Sequence, residues 1–197
     1  MNEWVFYTNN AHKVKELNEL AAAESVEIVP YQKILGSRID VVEDGTSFSE
    51  NAYKKLQALA PLKDRICLAE DSGLEVLALQ GAPGIYSARY AGENASRKQM
   101  CEKILTEMQG EQNREAQYRA VFALRLPGGS FGVFEGVCKG TLALEMKGEG
   151  GFGYDPIFIP EGYDETFGQL PISIKHQLSH RFQAFQKLLD FIVSQPT

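Results

Sequence analysis

The chain has 197 residues, of which 44% are hydrophobic and 23% are charged, a composition typical of a globular protein with a substantial core. Its 26 acidic and 20 basic side chains give a net charge of −6, a negative field that argues against nucleic acid or an anionic membrane as the main partner. The sequence lacks both a signal-peptide pattern and an uncharged apolar run near the roughly twenty residues that a membrane-spanning helix needs. We therefore expect one domain, residues 1–197, of a soluble cytoplasmic protein.

The first predicted elements are a strand over EWVFYT and a helix over NAHKVKELNEL, in which apolar residues recur at helical spacing. Free backbone N–H groups and the helix dipole favour an anion at such a strand-to-helix junction, which here contains Thr8, Asn9, Asn10 and Lys13. A plain helix cap followed by a solvated lysine also explains the same residues. The P-loop pattern is absent.

Residues 26–42 contain two further strand-like patches, VEIVPY and RIDVV. A helix is predicted to follow, with Ser47 and Glu50 at the spacing of a capping box, and to stop at Pro61. The apolar run ICLAE then predicts a strand that leads into a glycine-rich loop. Strands and helices therefore alternate in this half of the chain.

Two adjacent carboxylates, Glu70 and Asp71, stand where that strand is predicted to end in a Ser72-Gly73 turn. A strand end can bend both side chains towards one cleft, where two hard oxygen ligands suit Mg²⁺. The alternative is a purely structural role, in which one of the two residues is an exposed surface acid and the other caps the turn. The acidic pair Glu43 and Asp44 offers further potential ligands, although each is also explained as solvated surface.

The next region predicts a helix that begins with a Ser96–Gln99 capping box, then two strands, AQYRAVFALRL and FGVFEGVCKG. The intervening PGGS reads as the turn of an antiparallel hairpin, so we expect a mixed sheet. Three widely spaced cysteines without a C-x-x-C pair indicate reduced core thiols rather than disulfides or a zinc site; they are Cys67, Cys101 and Cys138.

The segment GEGGFGYDPIF, residues 148–158, combines glycines that allow close backbone approach with Phe152 and Tyr154, whose rings are expected to present flat faces to a ligand. The last helix is predicted over residues 179–195 with Ser179 as its N-cap. Its start gathers hydrogen-bond donors that suit a nucleobase carbonyl, or that are simply exposed charges, namely Lys175, His180 and Arg181. The zinc motif H-E-x-x-H does not occur, and GGSFG at residues 128–132 matches G-x-S-x-G only within the predicted hairpin turn, not at the strand-to-helix turn that a nucleophilic serine requires. Water is therefore the expected nucleophile.

Five segments in order, TNNAHKVKEL, SFSENAYKKL, EDSGLEVLALQGAPGIYSARYAG, GGFGYDPIF and KHQLSHR, resemble the inosine triphosphate pyrophosphatase family over residues 4 to about 190. The resemblance implies an α/β fold with a central twisted mixed β-sheet flanked by helices, and two lobes with a deep cleft between them. It also implies a homodimer that uses Mg²⁺ to convert ITP, dITP or XTP to the monophosphate and pyrophosphate.

Carried over residue by residue, the family's general base falls on Asp71 and its metal ligands on Glu70, Asp71 and Glu43. The implied triphosphate contacts are Thr8, Asn9, Asn10, Ala11, His12, Lys13, Lys55 and Ser72. The implied base and sugar contacts are Phe152, Gly153, Tyr154, Asp155, Lys175, His180 and Arg181. Asn9 stands where many relatives have glycine, and Glu70 replaces the first of two common aspartates.

Two rival functions share most of these features. A related pyrophosphatase for modified pyrimidine or common nucleoside triphosphates would differ only in base preference. A nucleotide-binding regulator without catalysis is disfavoured, because the carboxylate pair and both phosphate lysines are present.

Overall fold

The computed structural model describes residues 2–194, which form a six-stranded sheet and six α-helices. The strands are β1 (Asn2–Tyr7), β2 (Val26–Pro30), β3 (Cys67–Val76), β4 (Glu115–Arg125), β5 (Phe131–Leu142) and β6 (Phe158–Pro160). The helices are α1 (Ala11–Leu20), α2 (Tyr31–Leu35), α3 (Phe48–Gln57), α4 (Arg97–Glu107), α5 (Ile172–Leu178) and α6 (His180–Ser194). The ends of the predicted domain, including the last residue of its predicted C-terminal helix, lie outside the described residues. No helix within residues 2–194 is both long and apolar enough to cross a membrane.

The sheet has the strand order β2-β1-β3-β4-β5-β6. Strand β1 is parallel to β2 and β3, whereas β5 is antiparallel to β6. Neighbouring strands β4 and β5 are joined by residues 126–130 alone, a connection that is too short for a parallel crossover. The predicted α/β fold with a mixed sheet is therefore confirmed.

The chain divides into two compact units, and unit 1 comprises Met1–Asp71, Ala120–Glu135 and Ala184–Thr197. Its core is built on aromatic side chains from β1, β4 and α6: the ring of Phe122 lies 6.2 Å from the rings of both Phe6 and Phe185. Residues 120–124 of β4 are all buried, which is the pattern of a strand covered on both faces.

Unit 2 comprises Ser72–Arg119 and Gly136–Gln183. Within it, β4 follows a different pattern, because Ala116 and Tyr118 are buried while the alternate residues are partly exposed. This period of two indicates a strand covered on one face, where α4 contributes Cys101 and Ile104 to the core. The three cysteines are free and buried, as predicted.

The prediction that the strand ends at the carboxylate pair is wrong, because β3 runs on to Val76. Leu74 and Val76 are fully buried, and the backbone N–H of Leu74 donates to the Ser87 hydroxyl over 2.9 Å. A side chain at Gly73 would overlap the carbonyl oxygen of Gly84 and the Ser87 hydroxyl. Gly73 therefore permits a close approach within a continuous strand rather than a turn.

The predicted strand over RIDVV is absent, and the short helix α2 was missed. The backbone of Ile39 bonds tyrosine side chains instead of a neighbouring strand. Its oxygen accepts from the Tyr7 hydroxyl over 2.6 Å, and its N–H donates to the Tyr31 hydroxyl over 2.9 Å. The stacked rings of these tyrosines, 4.7 Å apart, hold the segment without a strand partner. Such a bond between distant residues leaves no local signal in the sequence.

The helix caps were predicted with one error. Ser96 and Gln99 form the full capping box, and the Ser179 hydroxyl accepts from the Phe182 N–H at the start of α6. Ser47 caps α3, but the Glu50 carboxylate accepts from the N–H of Thr46 instead of completing the box. Helix α3 also ends at Gln57, before the predicted stop at Pro61, which lies in a following 3-10 turn.

Candidate functional site

Three carboxylates and two lysines of unit 1 form what we call the carboxylate–lysine cluster: Glu43, Glu70, Asp71, Lys13 and Lys55. The ammonium group of Lys55 lies 2.8 Å from a carboxylate oxygen of Glu43 and 2.8 Å from one of Asp71. It also donates to the backbone oxygen of Glu70 over 3.2 Å. Lys13 lies 3.2 Å from the Glu70 carboxylate. Ion pairs and one backbone hydrogen bond therefore connect the three predicted metal ligands, of which Asp71 is also the predicted base, with two predicted phosphate lysines.

The local sequence explains why three members of the cluster are buried, whereas Lys13 and Glu43 are partly exposed. Lys55 lies on the inner face of α3 together with Asn51, one helical turn earlier, and Glu70 and Asp71 lie in the central strand β3. Lys55, Glu70 and Asp71 are 6%, 2% and 5% exposed. Buried charges attract each other more strongly than charges on the surface, and a buried carboxylate without a nearby cation is strongly destabilising. Each buried carboxylate therefore depends on its lysine for stability.

Burial raises the pKa of the Asp71 carboxyl above its ordinary value, although nearby Lys55 and Lys13 oppose the rise. Burial also acts to lower the pKa of Lys55, but Asp71 and Glu43 outweigh it, and the net pKa is raised. Lys55 is therefore held as a cation, and Asp71 is a stronger base than an exposed aspartate.

At the predicted strand-to-helix junction, Thr8, Asn9 and Asn10 lie between β1 and α1, and Ala11, His12 and Lys13 form the first turn of α1. The Asn10 side chain caps α1 by accepting from the His12 N–H over 2.9 Å. Asn9 has a negative φ, so the backbone there does not require glycine, and its side-chain oxygen accepts from Gln32 over 2.7 Å. Of the junction's side chains, that of Lys13 reaches the carboxylate–lysine cluster.

Oxygen donors of this kind suit a hard cation such as Mg²⁺. Within residues 2–194, however, no group of three or more histidine, cysteine, aspartate or glutamate side chains is arranged to hold a metal ion. Protein sites for Mg²⁺ commonly supply only one or two carboxylates and leave the remaining positions to water and phosphate. The residues present fit a site of that open kind.

In unit 2, a buried ion pair lies at the centre of the predicted base-reading residues. The carboxylate of Asp155 accepts from the Lys175 ammonium over 2.7 Å, from the Phe152 N–H over 2.7 Å and from the Tyr118 hydroxyl over 3.3 Å. Burial raises the pKa of Tyr118 well above its ordinary value, so its hydroxyl remains a donor. Asp155 and Lys175 are only 1% and 2% exposed. Asp155 therefore fixes the position of its neighbours.

The ring of Phe152 lies near two cations, with the Lys175 ammonium 4.3 Å and the Arg181 guanidinium 5.4 Å from its centroid. Arg181 also donates to the Ser72 hydroxyl over 3.2 Å, and the His180 ring stacks on that of Tyr118. Unit 2 thus brings together the predicted residues Ser72, Phe152, Gly153, Tyr154, Asp155, Lys175, His180 and Arg181.

Tyr154 differs from the expectation that its ring presents a flat face to a ligand. The side chain is 2% exposed within the core of unit 2, and its hydroxyl donates to the backbone oxygen of Ser87 over 2.8 Å. In the sequence, an aromatic residue in a glycine-rich loop suggests a ligand contact. In the structure, the ring of Tyr154 instead anchors the loop to the core.

Replacing Tyr154 with phenylalanine is expected to lower the free energy of unfolding by about 1–3 kcal/mol, because the buried Ser87 carbonyl loses its donor. Urea denaturation followed by circular dichroism measures the loss. Tyr163→Phe is the matched control, since that tyrosine is 37% exposed, and its effect should stay within about 0.5 kcal/mol. Equal losses in the two variants would contradict this role of the Tyr154 hydroxyl.

Arg97, at the start of α4, was missed by sequence reasoning. Its guanidinium donates to three successive backbone oxygens, those of Glu149, Gly150 and Gly151, over 3.0, 2.8 and 3.2 Å. The fork therefore fixes the glycine-rich loop that carries Phe152. No motif marks this residue, because its partners lie more than fifty residues away in the chain.

Two cavities within single units lie away from these residues. One of about 940 Å³ is lined by residues of unit 2, including Glu75, Arg119 and Tyr163. One of about 630 Å³ is lined by residues of unit 1, including Tyr53, Arg125 and Phe131. Neither contains a predicted site residue, so cavity size alone is a poor guide to the chemistry here.

Comparison with known proteins supplies the relationships of the chain. A profile of the Ham1 family matches residues 4–191. The dITP/XTP pyrophosphatase of Desulfotalea psychrophila is 42% identical over 184 residues, which are 93% of this chain and 82% of that protein. The dITP/XTP pyrophosphatase of Bacillus subtilis is 39% identical over 190 residues, which are 95% of this chain and 96% of that protein.

Solved structures agree with this relationship. The Staphylococcus aureus Ham1 protein has a TM-score of 0.87 and 38% sequence identity, with 99% of this chain and 100% of that chain covered. A nucleoside-triphosphatase or dITP/XTP pyrophosphatase from Mycobacterium abscessus has a TM-score of 0.76 and 33% identity, with 95% and 98% covered. The resemblance inferred from the five sequence segments is thereby confirmed, and the chain belongs to the Ham1 family.

Proposed function

We propose that this protein hydrolyses the noncanonical purine nucleoside triphosphates ITP, dITP and XTP to the nucleoside monophosphate and pyrophosphate, which removes them from the nucleotide pool. The observation that carries the proposal is the carboxylate–lysine cluster, where buried acids and cations converge. Relatives that match 93–96% of the chain are named dITP/XTP pyrophosphatase, which supports the substrate class.

Asp71 is the proposed general base. Its carboxylate takes a proton from a water molecule that attacks the α-phosphorus, and pyrophosphate leaves. Burial makes this carboxylate more basic than an exposed aspartate, which favours proton uptake. Lys13 and Lys55 supply positive charge to the phosphate oxygens, the kind of electrostatic stabilisation that dominates phosphoryl transfer.

One or two of the carboxylates of Glu43, Glu70 and Asp71 would hold Mg²⁺, with water and phosphate at the remaining positions. When bound, the ion would neutralise negative charge that develops on the phosphate oxygens. Glu70 has one more methylene group than the aspartate common at this position in the family, but it keeps the carboxylate that the ion requires.

The residues of unit 2 are proposed to bind the base and sugar. Donors from Lys175, His180 and Arg181 suit the 6-oxo group of hypoxanthine and xanthine. Adenine would place its 6-amino donor against these donors, and an unpaired arrangement of this kind costs about 1–3 kcal/mol, which disfavours ATP by about 5- to 150-fold. We further propose that the protein is cytoplasmic and that it works as a homodimer. Sedimentation velocity would test the homodimer.

Product analysis tests the proposal. Pyrophosphate and orthophosphate release would be measured from ITP, XTP, dITP, GTP, ATP and dUTP with Mg²⁺. We expect pyrophosphate from the first three and little product from ATP and dUTP, which lack a 6-oxo purine. GTP carries the 6-oxo group and differs from ITP by a 2-amino group, so its rate measures discrimination at the 2-position. Preferential turnover of dUTP would favour a pyrimidine pyrophosphatase, and orthophosphate as the first product would place the attack at a different phosphorus. Nucleotide binding without any product would favour a regulator.

Removing divalent metal with EDTA is expected to lower ITP hydrolysis by about a hundredfold or more, because the phosphate oxygens lose their main counter-charge. Excess Mg²⁺ should restore the rate, whereas excess K⁺ at matched ionic strength should not. Full turnover in EDTA after exhaustive dialysis would contradict metal dependence.

A further inference from the structure

We propose that Asn51 is the positioning residue that fixes the general base and the loop that carries Glu43. The inference rests on the proposed function, in which Asp71 takes the proton from water. Asn51 is completely buried on α3. Its side-chain amide donates to the Asp71 carboxylate over 3.2 Å, and its side-chain oxygen accepts from the Gly45 N–H over 2.9 Å. One carboxamide therefore joins helix, strand and loop.

The two oxygens of Asp71 have different partners on the same helix. Oδ1 accepts from Lys55 over 2.8 Å, while Oδ2 accepts from Asn51 over 3.2 Å. Positions 51 and 55 are one helical turn apart and face the same side, so α3 holds the carboxylate at both ends. This arrangement sets the plane of the carboxylate and not merely its position.

The chemistry of the two partners differs in a way that suits a base. Lys55 is the cation that the proposed function uses at the phosphate oxygens, whereas the amide of Asn51 is neutral and is fixed by its second bond to the Gly45 N–H. If Lys55 turns towards a phosphate, Asn51 still holds Oδ2, and Oδ1 is the oxygen left to accept the proton. The buried amide of Asn51 thus orients the Asp71 carboxylate independently of the charge of Lys55.

The other half of the amide fixes the loop that carries Glu43. A Cβ atom at Gly45 would lie 2.6 Å from the Asn51 side-chain oxygen and 2.9 Å from the Cβ of Glu50. Only glycine allows the loop to approach α3 this closely. Glu43, two residues before, then reaches Lys55 over 2.8 Å. Asn51 therefore sets the distance between the two carboxylates that share Lys55.

Two substitutions separate the two bonds. Asn51→Asp keeps an acceptor for Gly45 and replaces the amide donor to Asp71 with a second carboxyl group, while Asn51→Ala removes both bonds. We expect each to lower kcat for ITP by about 10- to 100-fold, because a misplaced catalytic group costs up to about that factor, with KM changed by less than about threefold. Unchanged kcat, or a loss confined to KM, would overturn the proposal.

Asn18→Ala is the matched control. Asn18 also lies in unit 1, and its amide bonds backbone groups outside the carboxylate–lysine cluster: the oxygen of Val14 and both the N–H and the oxygen of Ile28. We expect it to lower the urea midpoint and to leave kcat unchanged at temperatures where the variant is folded. An equal loss of kcat in this control would mean that general destabilisation explains the Asn51 result.

A double-variant cycle distinguishes positioning from structure alone. If Asn51 acts through Asp71, Asn51→Ala should cause no further loss of kcat when Asp71 is already alanine. The same fold-loss on both backgrounds would overturn the proposal.

Urea midpoints of the wild type, the two single variants and the double variant provide a readout that needs no activity. We expect the midpoint shifts to be non-additive, because the two side chains are in contact, and additive shifts would overturn the proposal. Failure of the proposed function would appear differently, as a folded wild type that releases no pyrophosphate from any nucleoside triphosphate. The urea cycle would still decide whether Asn51 holds Asp71.

Discussion

Asp71→Asn is expected to lower the turnover of ITP by about a hundredfold or more while the protein remains folded. Asparagine has nearly the same shape as aspartate, but its side chain cannot accept a proton at neutral pH, and general-base catalysis contributes about 10²–10⁴ to a rate. The variant keeps an oxygen for Lys55 or Asn51, so packing around α3 should persist. Steady-state release of pyrophosphate measures the loss, and circular dichroism confirms the fold.

The matched control for this substitution is Asp64→Asn. Asp64 is an exposed aspartate of unit 1, outside the carboxylate–lysine cluster, and its replacement should leave kcat unchanged. A wild-type rate in Asp71→Asn would show that another group takes the proton. A loss in both variants would point to an effect of net charge instead.

Lys175→Met is expected to destabilise the protein by about 3–5 kcal/mol, the usual cost of leaving one partner of a buried ion pair without compensation. Methionine nearly fills the space of the lysine stem, but the carboxylate of Asp155, 1% exposed, loses its cation. The remaining bonds from Phe152 and Tyr118 satisfy its oxygens without supplying charge. Urea or thermal denaturation measures the change.

Two further variants separate the lost charge from other effects. Lys147→Met removes an exposed lysine of unit 2 that pairs with Glu145 over 3.6 Å, and it should change stability by less than about 1 kcal/mol. The double variant Asp155→Asn with Lys175→Met should recover much of the loss, because no unpaired charge remains. A double variant that is less stable than Lys175→Met alone would contradict this explanation.

Local chemistry explains which elements were predictable. The strand before Thr8, the helix caps at Ser96 and Ser179, and the hairpin over PGGS depend on residues close together in the chain. Hydrophobic periodicity and side-chain capping act over one or two turns, so the sequence displays them directly. The continuation of β3 beyond Asp71 was missed because Gly73 and Ser72 read as a turn, whereas distant Ser87 and Gly84 make glycine necessary there.

In the candidate site too, some residues could be predicted from the sequence and others could not. Motif resemblance identified the charged residues that the structure brings together, with Glu43, Lys55 and Asp71 in one cluster and Asp155 and Lys175 in another. It did not identify the residues that hold them, because the amide of Asn51 and the guanidinium of Arg97 are recognisable only by the partners they meet in space.

By itself, the sequence determined the composition of a globular protein, the mixed α/β fold, the family and the kinds of side chain available for the chemistry. Only the tertiary structure decided which oxygen of Asp71 faces which donor, that Tyr154 anchors a loop instead of offering its ring, and that Gly45 must be glycine. The physical reason is that burial, close approach and long-range hydrogen bonds depend on residues that are distant in the chain, and neither local propensity nor motif spacing encodes those distances.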